Sequence, residues 1–485
     1  MNLFRRVVFY FLFLLYLVLC PLIIFYALGY IFTPKLEEGF AKTGLIRVET
    51  LPSGASVWIA NKRFSEKTPA TIRNLLAGDY DIRISLAGHR PWIRRITVEP
   101  GKAASFSHVL LVPRKLDPRP LITGPFTGLY PVPGTRFLLL KGSELAGDLR
   151  AFDWKNETVS WVFPKPFPFA NAKLVRIFTA NESPFILVQI EHAGGMKFLG
   201  YSLDKDKSEA QDLSGLFKER APDEILWEGA KPDYLFVRYD RNVSRIDLEK
   251  MKVLPGFFQN VRGVGIFKGK IYALSGPSIV RTNFNAKPGD ETFVESGAFL
   301  EDLFREDGKF KIDFISHNTI CISSEKGEFF SNALPYRFVE EGVRGYHAAP
   351  EGRKVVLWQE RRVGILDLEK PERKKEFFER GPEIKWVFDR AADVRDAYFV
   401  YDAAYILFSD RGEVFLAPVK EEGSSAEKPI KICEGAAIFY SEKTGALYYL
   451  EPSQGHFMAL QLLPEGIKLS RLITELEKET QEMMK

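Results

Sequence analysis

Histidine and cysteine are the residue types that most often hold metals or act as nucleophiles, and this sequence contains few of them. Six histidines are scattered through 485 residues, at positions 89, 108, 192, 317, 347 and 456. No two of them stand at metal-ligand spacing and no Cys-x-x-Cys pair accompanies them, which excludes a zinc site built from sequence neighbours. A site assembled from distant loops stays open. We therefore predict no catalytic, metal-binding or cofactor-binding residue and no cofactor.

Two glycine-containing motifs resemble signatures of enzymes but lack one required residue each. In Gly263-Val264-Gly265 the third glycine of a dinucleotide loop arrives one residue late, at Gly269, and the flanking segments have the pattern of strands. We interpret this motif as a turn between two strands. Gly276-Pro277-Ser278-Ile279 is followed by Val280 where a nucleophile elbow needs glycine, so a serine hydrolase has no support.

Charged residues are clustered at a few places, none of which requires a catalytic interpretation. The pair Glu301-Asp302 and the run Glu372-Arg373-Lys374-Lys375-Glu376 are typical of solvated turns. Arg5 and Arg6 are the only charged residues before position 33, which leaves 65 basic residues against 63 acidic ones in the rest of the chain. This balance excludes the concentrated positive charge that nucleic-acid binding needs, so no nucleic-acid partner is expected.

Three cysteines are too few for a disulfide-rich scaffold. Cys20 lies in an apolar run, whereas Cys321 and Cys433 lie in strand-like segments, where a buried free thiol is the expected state. A disulfide between Cys321 and Cys433 requires that the fold bring their strands together, and the sequence leaves that alternative open.

The segment that positions everything after it is an uncharged run of 26 residues, Val7–Phe32. Its length exceeds the roughly 20 residues that cross a bilayer, and Pro21 predicts a kink that a membrane helix tolerates. We predict a cytoplasmic tail at 1–6, a transmembrane signal-anchor helix at 7–32 and a linker at 33–43. Arg5 and Arg6 favour a cytoplasmic N-terminus, which places residues 33–485 outside the cytoplasm. The alternative is a cleaved signal peptide ending near Ala27-Leu28-Gly29.

Residues 44–113 contain short strands separated by turns. Ile46, Val48 and Thr50 share one face of the first strand, and Leu45, Arg47 and Glu49 share the other. Pro, Gly and Asp residues in turns separate the later strands. Five or six such strands without a helical segment predict a small β-sandwich.

This segment resembles a PEGA domain. The resemblance is carried in order by Pro52, Gly54, Ala55, Val57, Ile59, Thr68-Pro69, Leu75, Gly78, Tyr80 and Gly88. Ser53 and His89 depart from the family pattern, and the segment covers about one seventh of the chain. The resemblance implies a small β-sandwich of prokaryotic envelope proteins, which acts outside the cytoplasm as a binding or spacer module without catalytic residues.

The sequence pattern of residues 114–466 predicts a long series of strand pairs and triples joined by short polar turns. Similar units recur at very roughly 40 to 50 residues, which is the period of a propeller blade. We predict a β-propeller of about seven blades, and stacked β-sandwiches are the alternative architecture. Leu469, Leu472, Ile473 and Leu476 stand at helical spacing and predict a C-terminal helix at 467–485. The chain as a whole is expected to be all-β apart from its terminal helices.

Two functions are consistent with these features. The first is a membrane-anchored extracytoplasmic binding or scaffold protein of a prokaryotic cell envelope, which uses the PEGA-like domain and the propeller to contact protein or glycan partners. The second is a membrane-tethered envelope enzyme with a site in the propeller funnel. Clustered histidines and carboxylates with shifted pKa values in the funnel would favour the enzyme, and an apolar funnel beside an aromatic groove would favour the binding protein.

Overall fold

The computed structural model describes most of the chain. The described residues are 3–27, 29–32, 39–169, 171–204, 210–218, 220–296, 300, 308–316, 319–332, 337–368, 384–419 and 428–464. They divide into two compact units, with the main boundary between Asp117 and Pro118. The predicted C-terminal helix at 467–485, the pair Glu301-Asp302 and the run at 372–376 lie outside the described residues.

The first element is helix α1, Leu3–Ala27, and its large apolar side chains are exposed along its length. Its segment Val7–Ala27 is long and apolar enough to cross a membrane, since 21 residues rise about 32 Å against a hydrocarbon core of about 30 Å. The helix ends five residues earlier than predicted. Gly29 adopts φ +84° and donates its amide to the Tyr26 carbonyl at 3.0 Å, which turns the chain out of the helix.

The rest of the first unit consists of a hairpin and a two-sheet sandwich. The strands are β1 (Tyr30–Phe32), β2 (Phe40–Lys42), β3 (Gly44–Leu51), β4 (Ser56–Ile59), β5 (Lys62–Lys67), β6 (Ala70–Leu75), β7 (Gly78–Ser85), β8 (Trp92–Val98) and β9 (Ala103–Leu110). Strands β1 and β2 pair with each other, so the predicted linker contains part of a hairpin. The sandwich has sheets of order β6-β3-β9 and β5-β4-β7-β8.

The sandwich core follows from the period-two pattern of its strands. Ile46 and Val48 on β3 face Val57 and Ile59 on β4, and all four side chains are buried. The turn between β3 and β4 is fixed by Thr68, whose hydroxyl lies 2.6 Å from the Thr50 hydroxyl and accepts the Ala55 amide at 2.9 Å. The predicted sandwich is therefore confirmed.

In the second unit, the described residues form 32 strands. Those in its first half are β10 (Arg119–Ile122), β11 (Gly128–Pro131), β12 (Phe137–Lys141), β13 (Leu149–Asp153), β14 (Thr158–Trp161), β15 (Lys173–Thr179), β16 (Phe185–His192), β17 (Gly195–Ser202), β18 (Gln211–Asp212), β19 (Glu224–Leu226), β20 (Tyr234–Tyr239), β21 (Asn242–Asp247), β22 (Lys252–Phe258), β23 (Val261–Phe267), β24 (Lys270–Ser275), β25 (Ser278–Asn283) and β26 (Thr292–Ser296). Those in its second half are β27 (Phe310–Ser316), β28 (Thr319–Ser324), β29 (Phe329–Ser331), β30 (Arg337–Glu340), β31 (Gly345–Ala348), β32 (Lys354–Trp358), β33 (Val363–Asp367), β34 (Ile384–Phe388), β35 (Val394–Val400), β36 (Tyr405–Asp410), β37 (Glu413–Pro418), β38 (Ile430–Glu434), β39 (Ile438–Ser441), β40 (Ala446–Leu450) and β41 (Phe457–Gln461).

These strands form four-stranded antiparallel sheets, which we number 1 to 8. Sheet 1 combines β10 with β39, β40 and β41, so the start and the end of this unit share one sheet. Sheets 2 to 8 each consist of four consecutive strands, from β11–β14 in sheet 2 to β35–β38 in sheet 8. Sheets 5 and 6 are joined by the parallel pairing of β23 with β27. The described residues of the second unit thus form eight four-stranded sheets, and the predicted number of about seven blades is not confirmed.

Buried side chains connect each sheet to the next. Seven apolar clusters join sheets 1 with 2, 2 with 3, 3 with 4, 4 with 5, 5 with 6, 6 with 7, and 7 with 8. Tyr398 of sheet 8 donates its hydroxyl to the Ile438 carbonyl of sheet 1 at 3.2 Å. Sheet 8 therefore contacts sheet 1, and the eight sheets form a closed ring. A closed ring of four-stranded sheets is the organisation of a β-propeller.

The first strands of sheets 2 to 8 lie on the inner side of the ring, together with β39 of sheet 1, in which β10 is the opposite edge strand. The first strands of sheets 5 and 6 pair directly, and the ring of His347 on β31 stacks on Tyr398 of β35 with centroids 4.7 Å apart. In contrast, all four residues of β14, the fourth strand of sheet 2, are exposed. Charged side chains on the inner strands therefore converge even when they are far apart in sequence.

Candidate functional site

A cavity of about 400 Å³ opens among the inner strands of sheets 3, 4 and 6. We call it the channel pocket, and its charged wall consists of Arg176, Asp223, Glu224, Arg238, Lys309 and Lys311 with Glu325 beside them. This volume lies within the range of small-molecule and side-chain binding sites. The pocket combines this charged wall with apolar residues such as Phe178, Ile225 and Phe310, and no histidine lines it.

Local backbone geometry directs these side chains into the pocket. A register shift between Leu174 and Arg176 on β15 marks a β-bulge, the kind of irregularity that re-aims a side chain. Lys309, Lys311 and Asp313 stand two residues apart around the start of β27, so they share one face of the strand. Asp223 and Glu224 stand at the start of β19.

Three ion pairs hold the charges in place. Lys309 Nζ lies 2.6 Å from the Asp223 carboxylate, and Lys311 Nζ lies 2.9 Å from that of Asp313. Arg238 Nε donates to Glu224 at 3.2 Å in the most buried of the three pairs. One pair therefore connects sheet 4 with sheet 6, while the other two lie within sheet 6 and within sheet 4.

The pKa shifts of the two lysines and of Asp223 keep these groups charged. Burial opposes the charge of Asp223, but bonds from Lys309 and from the Asp240 amide outweigh it and lower its pKa. The Asp223 carboxylate raises the pKa of Lys309. Burial alone would lower the pKa of Lys311, but Asp313 outweighs it, so the net shift is upward. Glu224 differs, because burial raises its pKa against the opposing charge of Arg238.

The basic groups are more open to the pocket than the carboxylates that they pair with. Lys311 exposes 61% of its side chain against 29% for Asp313, and Lys309 exposes 40% against 21% for Asp223. Arg176 is exposed as well; it donates to the Asp223 carbonyl at 3.4 Å and lies over the Phe178 ring. Within the described residues its guanidinium contacts no carboxylate. Apart from the exposed Glu325, the charged groups that open onto the pocket are therefore basic.

A second polar group continues along the inner strands of sheets 6, 7 and 8. Tyr346 donates its hydroxyl to Asp313, and burial raises the tyrosine pKa. Burial, assisted by the charge of Lys311, lowers the pKa of His347 to about 4, so this histidine is neutral at pH 7. Burial raises the pKa of Asp396 on β35 to about 6.

The remaining residues singled out from the sequence do not gather at this site. Of the six histidines, His347 alone among those described lies on an inner strand, and His317 lies outside the described residues. All three cysteines are free, and burial raises the pKa of Cys321 and Cys433 to about 12, which disfavours a reactive thiolate. Within the described part of the chain, no three histidine, cysteine or acidic side chains are placed to hold a metal ion.

The interpretation of Gly263-Val264-Gly265 as a turn is wrong. These residues lie inside β23, which packs its backbone against β27. A Cβ atom on Gly265 would stand 2.4 Å from the Ile312 carbonyl oxygen, so the glycines are required by close strand approach.

None of the charged residues of the channel pocket was predicted from the sequence. A weak signal exists in Lys309-Phe310-Lys311-Ile312-Asp313, where charged and apolar residues alternate at the start of an inner strand. The contact of Lys309 with Asp223 depends on the ring, because 86 residues separate the two in the sequence.

Comparisons with known proteins identify one domain of the chain by its family. Residues 43–112 match the PEGA domain family. No curated protein sequence matches the chain. Similar solved structures include the β-propeller domain of Cps50 (Swd1) from Myceliophteria thermophila, which is 11% identical with a TM-score of 0.36 over 71% of this chain and 99% of the other.

Two further structures are similar at the same level. Hsv2 from Kluyveromyces lactis is 9% identical with a TM-score of 0.40 over 64% of this chain and 99% of the other. PorZ, a surface component of the type-IX secretion system of Porphyromonas gingivalis, is 12% identical with a TM-score of 0.35 over 67% of this chain and 42% of the other. Because these scores are low, the propeller assignment rests on the sheet topology above. The chain thus carries a PEGA domain after its apolar helix, followed by a β-propeller.

Proposed function

We propose that this protein is a membrane-anchored binding or scaffold protein of a prokaryotic cell envelope, and that the channel pocket holds an acidic group of a protein or glycan partner. Helix α1 acts as a single-pass anchor, and the PEGA domain and the propeller lie outside the cytoplasm. The occurrence of PEGA domains in envelope proteins and the exposed apolar surface of α1 support this placement.

The observation that carries the proposal is the arrangement of charge in the pocket. Arg176, Lys309 and Lys311 open onto one cavity, while the carboxylates that neutralise the two lysines lie deeper. An incoming acidic group meets basic groups that are already oriented, so little side-chain ordering is needed on binding. Arg176 offers the planar donor set that carboxylates and other oxyanions accept.

A site for proton transfer in this pocket has less support. General acid-base catalysis needs a pKa near the working pH, whereas the shifts at Asp223, Lys309 and Lys311 move their pKa values away from neutrality. Burial raises the pKa of Glu224, but this carboxylate is held by Arg238 in the most buried ion pair of the pocket. Side chains that stay charged at neutral pH are suited to binding a partner of opposite charge. The membrane-tethered enzyme therefore stays the alternative.

Binding of acidic polymers tests the proposal. Labelled poly-L-glutamate and labelled polygalacturonate are titrated with the purified full-length protein in detergent, and binding is measured by fluorescence anisotropy. We expect one polymer to bind and its affinity to fall with added salt, because the contacts are partly exposed charges. The polymer that binds more tightly identifies the partner class as protein-like or glycan-like.

Matched variants locate the binding. Arg176→Gln with Lys311→Gln is expected to weaken binding at least about tenfold, which corresponds to about 1.4 kcal/mol. Arg390→Gln with Lys443→Gln removes the same charges from exposed positions outside the pocket and should leave the affinity unchanged. Failure of both polymers to bind, or equal losses in the two double variants, would contradict the proposal.

A further inference from the structure

The end of helix α1 is connected to the PEGA domain by hydrogen bonds at one residue, Thr43. The Thr43 amide and hydroxyl both donate to the Gly29 carbonyl, at 2.8 and 2.7 Å. The Thr43 carbonyl in turn accepts the Gly101 amide at 2.9 Å. Thr43 is buried and therefore joins the chain just after the helix to a loop of the sandwich.

The hairpin of β1 and β2 packs against the same end of the helix. The ring of Phe25 on α1 contacts Tyr30 and Phe40, with centroids 5.6 and 5.8 Å away, and Phe40 contacts Phe32 at 5.4 Å. The stem of Lys42 lies against Gly101, where a Cβ atom would stand 2.4 Å from Lys42 Cε. The hairpin is thus attached to both the helix and the sandwich.

The aromatic side chains at this junction remain open. Tyr26, Phe32 and Phe40 expose 68%, 65% and 45% of their surface. They adjoin the exposed apolar surface of α1, because Tyr26 belongs to the helix and Phe40 contacts Phe25 of the helix. We call Tyr26, Tyr30, Phe32 and Phe40 the aromatic collar. Exposed rings at the end of an apolar helix are what the boundary between hydrocarbon and headgroups accommodates best.

We propose that the aromatic collar lies in the interfacial layer of the lipid bilayer and, through Thr43, holds the PEGA domain at a fixed height above the membrane. The inference rests on the membrane attachment proposed above. A lipid surface is favoured over a protein partner because the collar adjoins the surface of α1 that lipid would cover. The linker predicted from the sequence becomes, in this account, a bonded junction.

Photo-crosslinking to lipid tests the collar directly. A benzophenone analogue of phenylalanine is introduced at Phe40 of the full-length protein, which is reconstituted into phosphatidylcholine and phosphatidylglycerol vesicles with a tagged lipid. The same analogue at Phe13 in α1 reports on membrane insertion. The analogue at Ile93 on β8 is the control, because this side chain is 58% exposed and stands five residues, or roughly 17 Å, from the end of β8 that contacts Gly44.

The account predicts lipid adducts at Phe13 and Phe40, with a yield at Ile93 at least about fivefold lower than at Phe40. Adducts at Phe13 without adducts at Phe40 would overturn the collar and leave the anchor standing. Adducts between two protein chains at Phe40 would assign the collar to a second copy and also overturn the proposal. Absence of lipid adducts at Phe13 would contradict the anchor itself and the collar with it.

Discussion

The ammonium group of Lys309 and the carboxylate of Asp223 lie 2.6 Å apart, although 86 residues separate them in the sequence. They connect sheets 4 and 6 at the wall of the channel pocket. A contact of this kind exists only when the ring is formed, so it reports on both the architecture and the site.

Removing the Lys309 charge should destabilise the second unit. Lys309→Met leaves Asp223 charged and partly buried without its cation, and we expect a loss of about 1–3 kcal/mol in the free energy of unfolding at pH 7. Because the folded pKa of Asp223 is lowered, the pair stabilises the fold above about pH 4, and the difference from wild type should shrink as the pH falls below that value. Chemical denaturation at several pH values measures the difference in the free energy of unfolding between the variant and wild type. Lys443→Met, at an exposed position, is the control. An equal loss at pH 7 and pH 3 would contradict this account.

The close approach of β23 and β27 predicts that Gly265 tolerates no side chain. In Gly265→Ala the new Cβ atom meets a backbone carbonyl, which cannot move aside as a flexible side chain can. We expect a destabilisation of about 1–3 kcal/mol. Gly215→Ala is the matched control, since no atom lies within 4 Å of its Cβ position. Thermal unfolding of both variants measures the difference, and equal midpoints would show that the strands are not packed as described.

Thr68 should carry much of the stability of the first turn of the PEGA domain. Thr68→Val keeps the side-chain volume but removes the acceptor of the Ala55 amide and the partner of the Thr50 hydroxyl. Two buried polar groups then lose a partner, at a cost of about 1–3 kcal/mol. Thr97→Val removes an exposed hydrogen bond to Asp79 and should cost less. Hydrogen exchange of residues 44–112 distinguishes the two variants, and equal protection in both would be inconsistent with the proposed role of Thr68.

Asp396 should make the stability of the second unit depend on pH. Its pKa of about 6 in the fold lies above the ordinary value of 3.8, so the unfolded chain ionises first and stability falls as the pH rises from about 4 to about 6. Asp396→Asn removes this loss and should raise the unfolding midpoint relative to wild type at pH 7 more than at pH 4. Asp389→Asn, at an exposed position, is the control. The interpretation fails if the advantage of Asp396→Asn is the same at both pH values.

Much of the fold follows from local sequence patterns. Alternating residues such as Ile46 and Val48, and the turn around Gly54, specify the strands of the PEGA domain without long-range information. The repeating strand pattern likewise indicates a propeller. The number of sheets does not follow, because the spacing between them varies and because β10 joins sheet 1 from the opposite end of the unit.

The channel pocket was beyond prediction for a physical reason. Arg176, Asp223 and Lys309 stand on different sheets, and each looks like an ordinary surface charge in its own segment. Their meeting depends on ring closure and on the bulge in β15. The place of Phe32 and Phe40 in the aromatic collar was missed for a similar reason, since Phe32 continues the apolar run of α1 and its strand is revealed only by pairing with β2.

The central claim is that α1 holds an extracytoplasmic PEGA domain and propeller at a membrane. Lys443→Cys places a thiol at an exposed site of the propeller, and a membrane-impermeant maleimide is applied to intact spheroplasts before and after lysis. The account predicts full labelling before lysis, with the protein retained in the membrane fraction after an alkaline carbonate wash. Labelling only after lysis, or release of the protein by the wash, would contradict it.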